Sequence, residues 1–371
     1  MDSSAEKSAS ILFTPVNVGG MRVPNRFVRS ATQEFLATDE GDVTDRQVEL
    51  YTRLAKGEIG LIISGHAFVQ PSGKASPRQL AVYDDRFVAG LRRIAEAVHR
   101  FPSRSILQIA HAGRQTKEKL CNCTPVSPSP VYDPVSKVMP RELAPAEIRA
   151  LIGDFVQAAR RAGEAGFDGV QLHAAHGYLL NSFLSPHTNR RTDEWGGPIE
   201  NRARVLLEIL GGIRALAGRG FPVIVKLNST DFLEGGLTLE DSARAAVLLE
   251  AAGIDGIEVS GGMAEAGRGS IWPGLREEED EGYFVAAAAR IKAAVKVPVF
   301  GLGGIRTFGV AEKIVREGRA DLISLSRPFI RDPFLVKNFR EGRIAKSECI
   351  SCNKCMNLRG IRCAELKPKK A

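Results

Sequence analysis

Three stretches of the chain repeat one local pattern. AGEAGFDGVQLH (162–173), EAAGIDGIEVS (250–260) and REGRADLISLS (316–326) each run from a helical segment through a Gly to an Asp and then a short apolar strand. The Gly suits a helix C-cap, and the β-branched or Leu-rich run suits a strand covered on both faces. A unit of this kind, used three times, requires parallel strands joined by helical crossovers, which is α/β architecture.

Extending the pattern outward gives eight predicted strands at 27–31, 60–64, 105–110, 169–173, 223–228, 256–260, 297–301 and 321–325. Amphipathic helices are predicted between them at 43–56, 86–100, 145–165, 199–217, 239–252, 283–294, 308–317 and 333–340. Eight βα units in this length predict a single (β/α)8 TIM barrel over residues 1–341, followed by a basic, Cys-rich tail at 342–371. Two stretches exceed the minimal unit. The Pro- and Ser-rich excursion 113–141 follows the third strand at the face where barrel sites lie, and reads either as a substrate-lining loop or as a tolerated insertion. The acidic run 277–281 reads as a solvated face.

Charge bears on the choice of partner. The net charge of +8 suggests nucleic acid until its position is considered: from Arg331 to Ala371 there are 11 basic against four acidic residues, which accounts for +7 of it. The rest is nearly neutral, so no broad basic groove and no nucleic-acid partner is expected. No apolar run is long enough to span a membrane, and the start, MDSSAEKSAS, lacks an apolar h-region, so a cytoplasmic protein is expected.

In a barrel the C-terminal ends of the strands converge on one pocket. Here they deliver Ser30, Ala31, Thr32 and Gln33, then His66, Gln108 and His111, then His173, His176 and Tyr178, then Lys226 and Asn228. Gly303, Gly304, Ser326 and Arg327 follow strands seven and eight, the usual phosphate position of this fold, where glycine turns and a guanidinium suit an anion at a helix N-terminus. Neither G-x-G-x-x-G nor a Walker A sequence is present. The HAAHGY segment has no Glu between its histidines and no evident third ligand, which argues against zinc and for hydrogen-bond donation to a carbonyl oxygen, with Tyr178 placed to give a proton. Cys349, Cys352, Cys355 and Cys363 crowd into fifteen residues and point to metal or redox chemistry before disulfides.

The segment HAAHGYLLNSFLSPHTNRRTDEWGGPIENR resembles the signature of the old yellow enzyme family of FMN-dependent ene-reductases. LFTPVNVGGMRVPNRFVRSAT, LQIAHAGRQT, VKLNSTD and GRADLISLSRPFIRDPF resemble further family blocks in the same order. The cysteines make the chain most similar to the branch containing 2,4-dienoyl-CoA reductase and trimethylamine dehydrogenase. The resemblance implies FMN held by Ser30, Ala31, Thr32, His66, Gln108, Lys226, Gly303, Gly304, Ser326 and Arg327, with Lys226 as the cation near flavin N1. It implies His173 and His176 as the carbonyl-binding pair and Tyr178 as the proton donor, with NADPH or NADH as a transient reductant and an α,β-unsaturated carbonyl compound as oxidant. Gln33 departs from the Cys or Thr often found there in relatives. The multidomain relatives continue into nucleotide-binding domains, which are not expected in a chain ending at Ala371. The tail spacing C-x2-C-x2-C-x7-C leaves an iron–sulfur cluster, structural zinc and free thiols all open. Self-association into a homo-oligomer is also open, as are two competing readings: a flavin barrel of the tRNA-dihydrouridine synthase type and a catalytically silent flavin or metal binder.

Overall fold

Eight parallel strands close on themselves in the computed structural model, which describes residues 10–267 and 269–366. They are β1 (Phe27–Arg29), β2 (Leu61–Ile63), β3 (Arg104–Ala110), β4 (Gly169–Ala174), β5 (Val223–Asn228), β6 (Gly256–Ser260), β7 (Val299–Gly301) and β8 (Leu322–Leu325). Each pairs in parallel with the next, and β8 returns to β1. This is the (β/α)8 barrel that the repeated junctions require. The outer start of the sequence and the last lysines of the basic tail lie outside the described residues.

Helices cover the outside where the periodicity places them, including Asp45–Lys56 and Pro145–Glu164. Thr44 starts the former with a reciprocal cap to Gln47. Two predicted helices are broken. The fourth is divided into Ile199–Arg202 and Arg204–Ala217, and the eighth begins only at Leu335, because Pro333 and Phe334 form a turn after a separate short helix, Arg327–Arg331. Among the described residues, no helix is long and apolar enough to cross a membrane.

Inside the barrel the side chains form two layers with opposite character. At the bottom, Val28, Leu61, Ile63, Ile106, Ile224, Phe300 and Leu322 pack with Val18, Met21 and Val23 from a hairpin of Val16–Val18 and Met21–Val23. That hairpin, which the strand assignment above lacks, plugs the closed end. One step up, at the i+2 positions, the same strands present Ser30, Gln108, Lys226 and Ser324, joined by Gln171 and Glu258. The polar layer is the floor of the site.

Candidate active site

Above that floor lies a cavity of about 300 Å³ lined by every residue expected to hold a cofactor or react: Ser30, Ala31, Thr32, His66, Gln108, His173, His176, Tyr178, Lys226, Gly303, Gly304, Ser326 and Arg327. Strand register explains the convergence. His173 of β4 and Lys226 of β5 are direct Cα partners, and Lys226 is in turn the partner of Glu258 on β6.

At the end nearest β7 and β8 the backbone is built for close approach. Gly303 and Gly304 have φ of +125° and +72°. A Cβ on Gly303 would stand 2.7 Å from Tyr283 N and 2.8 Å from Phe284 N, so only glycine fits. The adjoining helix N-terminus departs from expectation. Glu281, read above as part of a solvated acidic face, is buried and accepts hydrogen bonds from Arg306 N (2.8 Å), Thr307 N (2.9 Å) and Thr307 Oγ1 (3.0 Å). Its carboxylate holds the two residues that lead into that helix, Arg306 and Thr307, against the loop after β6. Arg327 spends Nη1 on Trp272 O (2.8 Å) and Asn353 Oδ1 (2.7 Å), which fixes the guanidinium beside the cavity.

At the opposite end the donors are neutral. His173 and His176 meet edge to face with ring centroids 5.2 Å apart, and Tyr178 lies 4.7 Å from His173. Burial, reinforced by the other imidazoles and the Lys226 ammonium, which oppose a further positive charge, holds both imidazoles well below their usual pKa, and burial pushes the Tyr178 phenol up to about 12. His173 Nδ1 is buried without a hydrogen-bond partner, as an atom aimed at a ligand would be. His176 sits at φ +64°, pinned by Asn228 Oδ1 on its N–H (3.0 Å), while its Nε2 meets Ser260 Oγ at 2.7 Å.

His66 has a defined tautomer. The Gln79 carbonyl oxygen accepts from Ala75 N (2.7 Å) and Ser76 N (3.3 Å), so the Gln79 amide nitrogen must be the group at 2.6 Å from His66 Nδ1. Burial lowers His66 to about 4, so the ring is neutral with its proton on Nε2. Because burial also takes His111 to about 3, acid should destabilise the fold. An unfolded His titrates near 6.5, so the unfolded state takes up protons first. The contribution is whole above pH 6.5 and is lost as pH falls toward 4 for His66 and 3 for His111, His66 alone accounting for about 3 kcal/mol. The thermal midpoint is expected to fall steadily from pH 6.5 to 4; a level profile would show that these rings do not titrate as buried groups.

The excursion after β3 takes part in the site. Gln115 lines the cavity and donates to His176 O (2.6 Å), and buried Arg114 pairs with Glu265 in the loop after β6. The tail also reaches the site. Met356 lines the cavity, Asn353 and Ser351 hold Arg327, and Ile361 N bonds Glu34 O (2.8 Å). Cys349, Cys352, Cys355 and Cys363 line one small cavity of about 20 Å³ behind Arg327, with no disulfide. Burial raises the Cys349 and Cys355 thiols, and among the described residues no three His, Cys, Asp or Glu side chains converge as a metal site requires.

Fold and cavity together define a barrel protein with a glycine turn and Arg327 at β7–β8, a buried lysine in the floor and a neutral His and Tyr cluster after β4. Residues 11–346 match the NADH:flavin oxidoreductase / NADH oxidase family, and the chain belongs to it. It is 41% identical over 347 residues to the NADH oxidase of Thermoanaerobacter brockii, covering 92% of this chain and 52% of that protein. Among solved structures it resembles a 2-naphthoyl-CoA reductase complex (TM-score 0.85, 34% identity, 93% of this chain and 54% of that one). It also resembles the old yellow enzyme homologue of Zymomonas mobilis (TM-score 0.80, 29% identity, 91% and 95%). The chain spans about half the length of the first two.

Proposed function

We propose that the cavity holds FMN and that the chain is an NAD(P)H-dependent reductase of activated C=C bonds, with α,β-unsaturated carbonyl compounds as oxidants. The observation that carries this is the division of one cavity into an anion cradle (Gly303, Gly304, Arg327), a cation in its floor (Lys226) and a neutral donor group (His173, His176, Tyr178). The residues fit the cofactor: a phosphate suits the glycine turn and the Arg327 guanidinium that line one end of the cavity, and a polar ring edge suits Gln108 and Lys226. FMN, when bound, supplies the electron transfer between nicotinamide and alkene. His173 and His176 then hold the substrate's carbonyl oxygen and stabilise the negative charge that develops there, while Tyr178 delivers a proton to the α-carbon. Neutral imidazoles suit this role because they donate without titrating near pH 7. No step passes through the cysteines.

Denatured protein should release FMN, and recovery of FAD would overturn the assignment of the cradle. Anaerobic reduction with NADPH and with NADH, followed by a panel of enones, dienoyl thioesters and nitroalkenes, tests the reaction; a reduced protein that none of them reoxidises would refute it. Arg327→Ala should weaken FMN binding by about 1.5 to 3 kcal/mol, the usual worth of a hydrogen bond to a charged group. Unchanged affinity would remove Arg327 from the cradle.

A further inference from the structure

We infer that Glu258, a residue of the barrel interior that does not line the cavity, is the positioning counter-ion of Lys226 and thereby limits the positive charge offered to the cofactor ring. The inference rests on the FMN reading above. Glu258 is fully buried, and its Oε2 lies 3.2 Å from Lys226 Nζ. The same oxygen accepts from Gln171 Nε2 (2.9 Å), whose carbonyl in turn accepts from Gln108 Nε2 (2.7 Å). Lys226 Nζ also donates to Ser30 Oγ at 2.7 Å. A single chain of contacts thus joins three cavity-lining groups, Ser30, Lys226 and Gln108, through two interior ones.

Glu258 Oε1 makes no hydrogen bond of ordinary geometry, although the Ser30 and Ser324 hydroxyls lie close enough to favour the charged form. For a carboxylate so deeply buried, the attraction to a close cation is the largest influence opposing desolvation, and the surrounding donors add to it. Burial works to raise the Glu258 carboxyl, and the Lys226 ammonium with nearby donors more than offsets it, holding the group below its ordinary value. Ionised Glu258 therefore draws on the same ammonium that faces the cavity. Lys226 presents a shared charge upward, whereas an unpaired lysine would present a whole one.

Sulfite tests this without turnover, because its lone pair adds at flavin N5 and leaves the ring anionic, so its affinity reports the local positive charge. In FMN-loaded Glu258→Gln, sulfite is expected to bind at least ten-fold tighter than in the wild type. In the Lys226→Met background the same exchange should shift affinity less than two-fold, because the effect runs through Lys226. Should Glu258→Gln not fold, Glu258→Asp keeps the charge but draws it back from Nζ, and sulfite should bind at least two-fold tighter. Unchanged affinity in the folded, FMN-loaded variant, or a shift that persists without Lys226, would overturn the inference. Wild-type protein carrying no FMN would instead overturn the reading on which it rests.

Discussion

Tyr178→Phe is expected to slow reoxidation of the reduced protein by an enone by about 10² to 10⁴, the usual worth of a positioned general acid. Reduction by the nicotinamide should change by less than about three-fold, because it requires no proton at carbon. The geometry gives the reason for the asymmetry. Tyr178 packs 4.7 Å from His173 and 5.4 Å from His66, ring to ring, so removing the hydroxyl leaves an aromatic ring of nearly the same shape in the same slot. Its pKa near 12 keeps the phenol protonated across the working range, and no neighbouring imidazole is charged near neutrality. The wild-type oxidative half-reaction should therefore be level from pH 6 to 9. Stopped-flow measurement of the two half-reactions separately checks both points, and equal slowing of both would reduce Tyr178 to a shaping role.

Gly303→Ala should cost about 3 kcal/mol of stability, combining left-handed backbone strain with a clash, and reduce FMN affinity at least ten-fold. The obstruction is main chain: Tyr283 N and Phe284 N stand where the methyl would go, and Gly282 N and Tyr283 N already bond Gly303 O at 2.6 and 3.2 Å. Neither side can withdraw without opening the turn. Gly304→Ala is the informative comparison, because its Cβ would meet first the end of the Leu275 side chain, which can rotate away. Denaturant unfolding and FMN titration of the pair should rank Gly303 well above Gly304. Equal and small losses would mean that the turn relaxes and that the close approach is not required.

Much of this molecule was legible because the signals are periodic. The repeated junction marks each helix-to-strand turn, and strand ends in a barrel must face one pocket, so His173, Tyr178, Lys226 and Arg327 could be assembled from order alone. What escaped is what depends on partners far apart in sequence. Glu258 sits between Ile257 and Val259 in an apolar strand, and its alternation with Ser260 was the available hint that it points inward. Glu281 looked solvated because its four acidic neighbours are; only Arg306 and Thr307, across the barrel rim, reveal its burial. The plugging hairpin has a readable signature in VNVGGMRV, alternating apolar residues about a Gly-Gly turn, a pattern that the repeated parallel-strand junctions do not share.

Asn353 and Met356 give the order of assembly a meaning of its own. Strands and glycine turn are all in place by residue 331, with Trp272 O already on Arg327, yet the second anchor of that arginine and one wall of the cavity come only after residues 351–356 have folded back over the rim. During synthesis the barrel can therefore close before that wall is in place. On the FMN reading, a chain cut after the barrel's last helix is expected to release the cofactor more readily than the full chain, which FMN titration of the two would check.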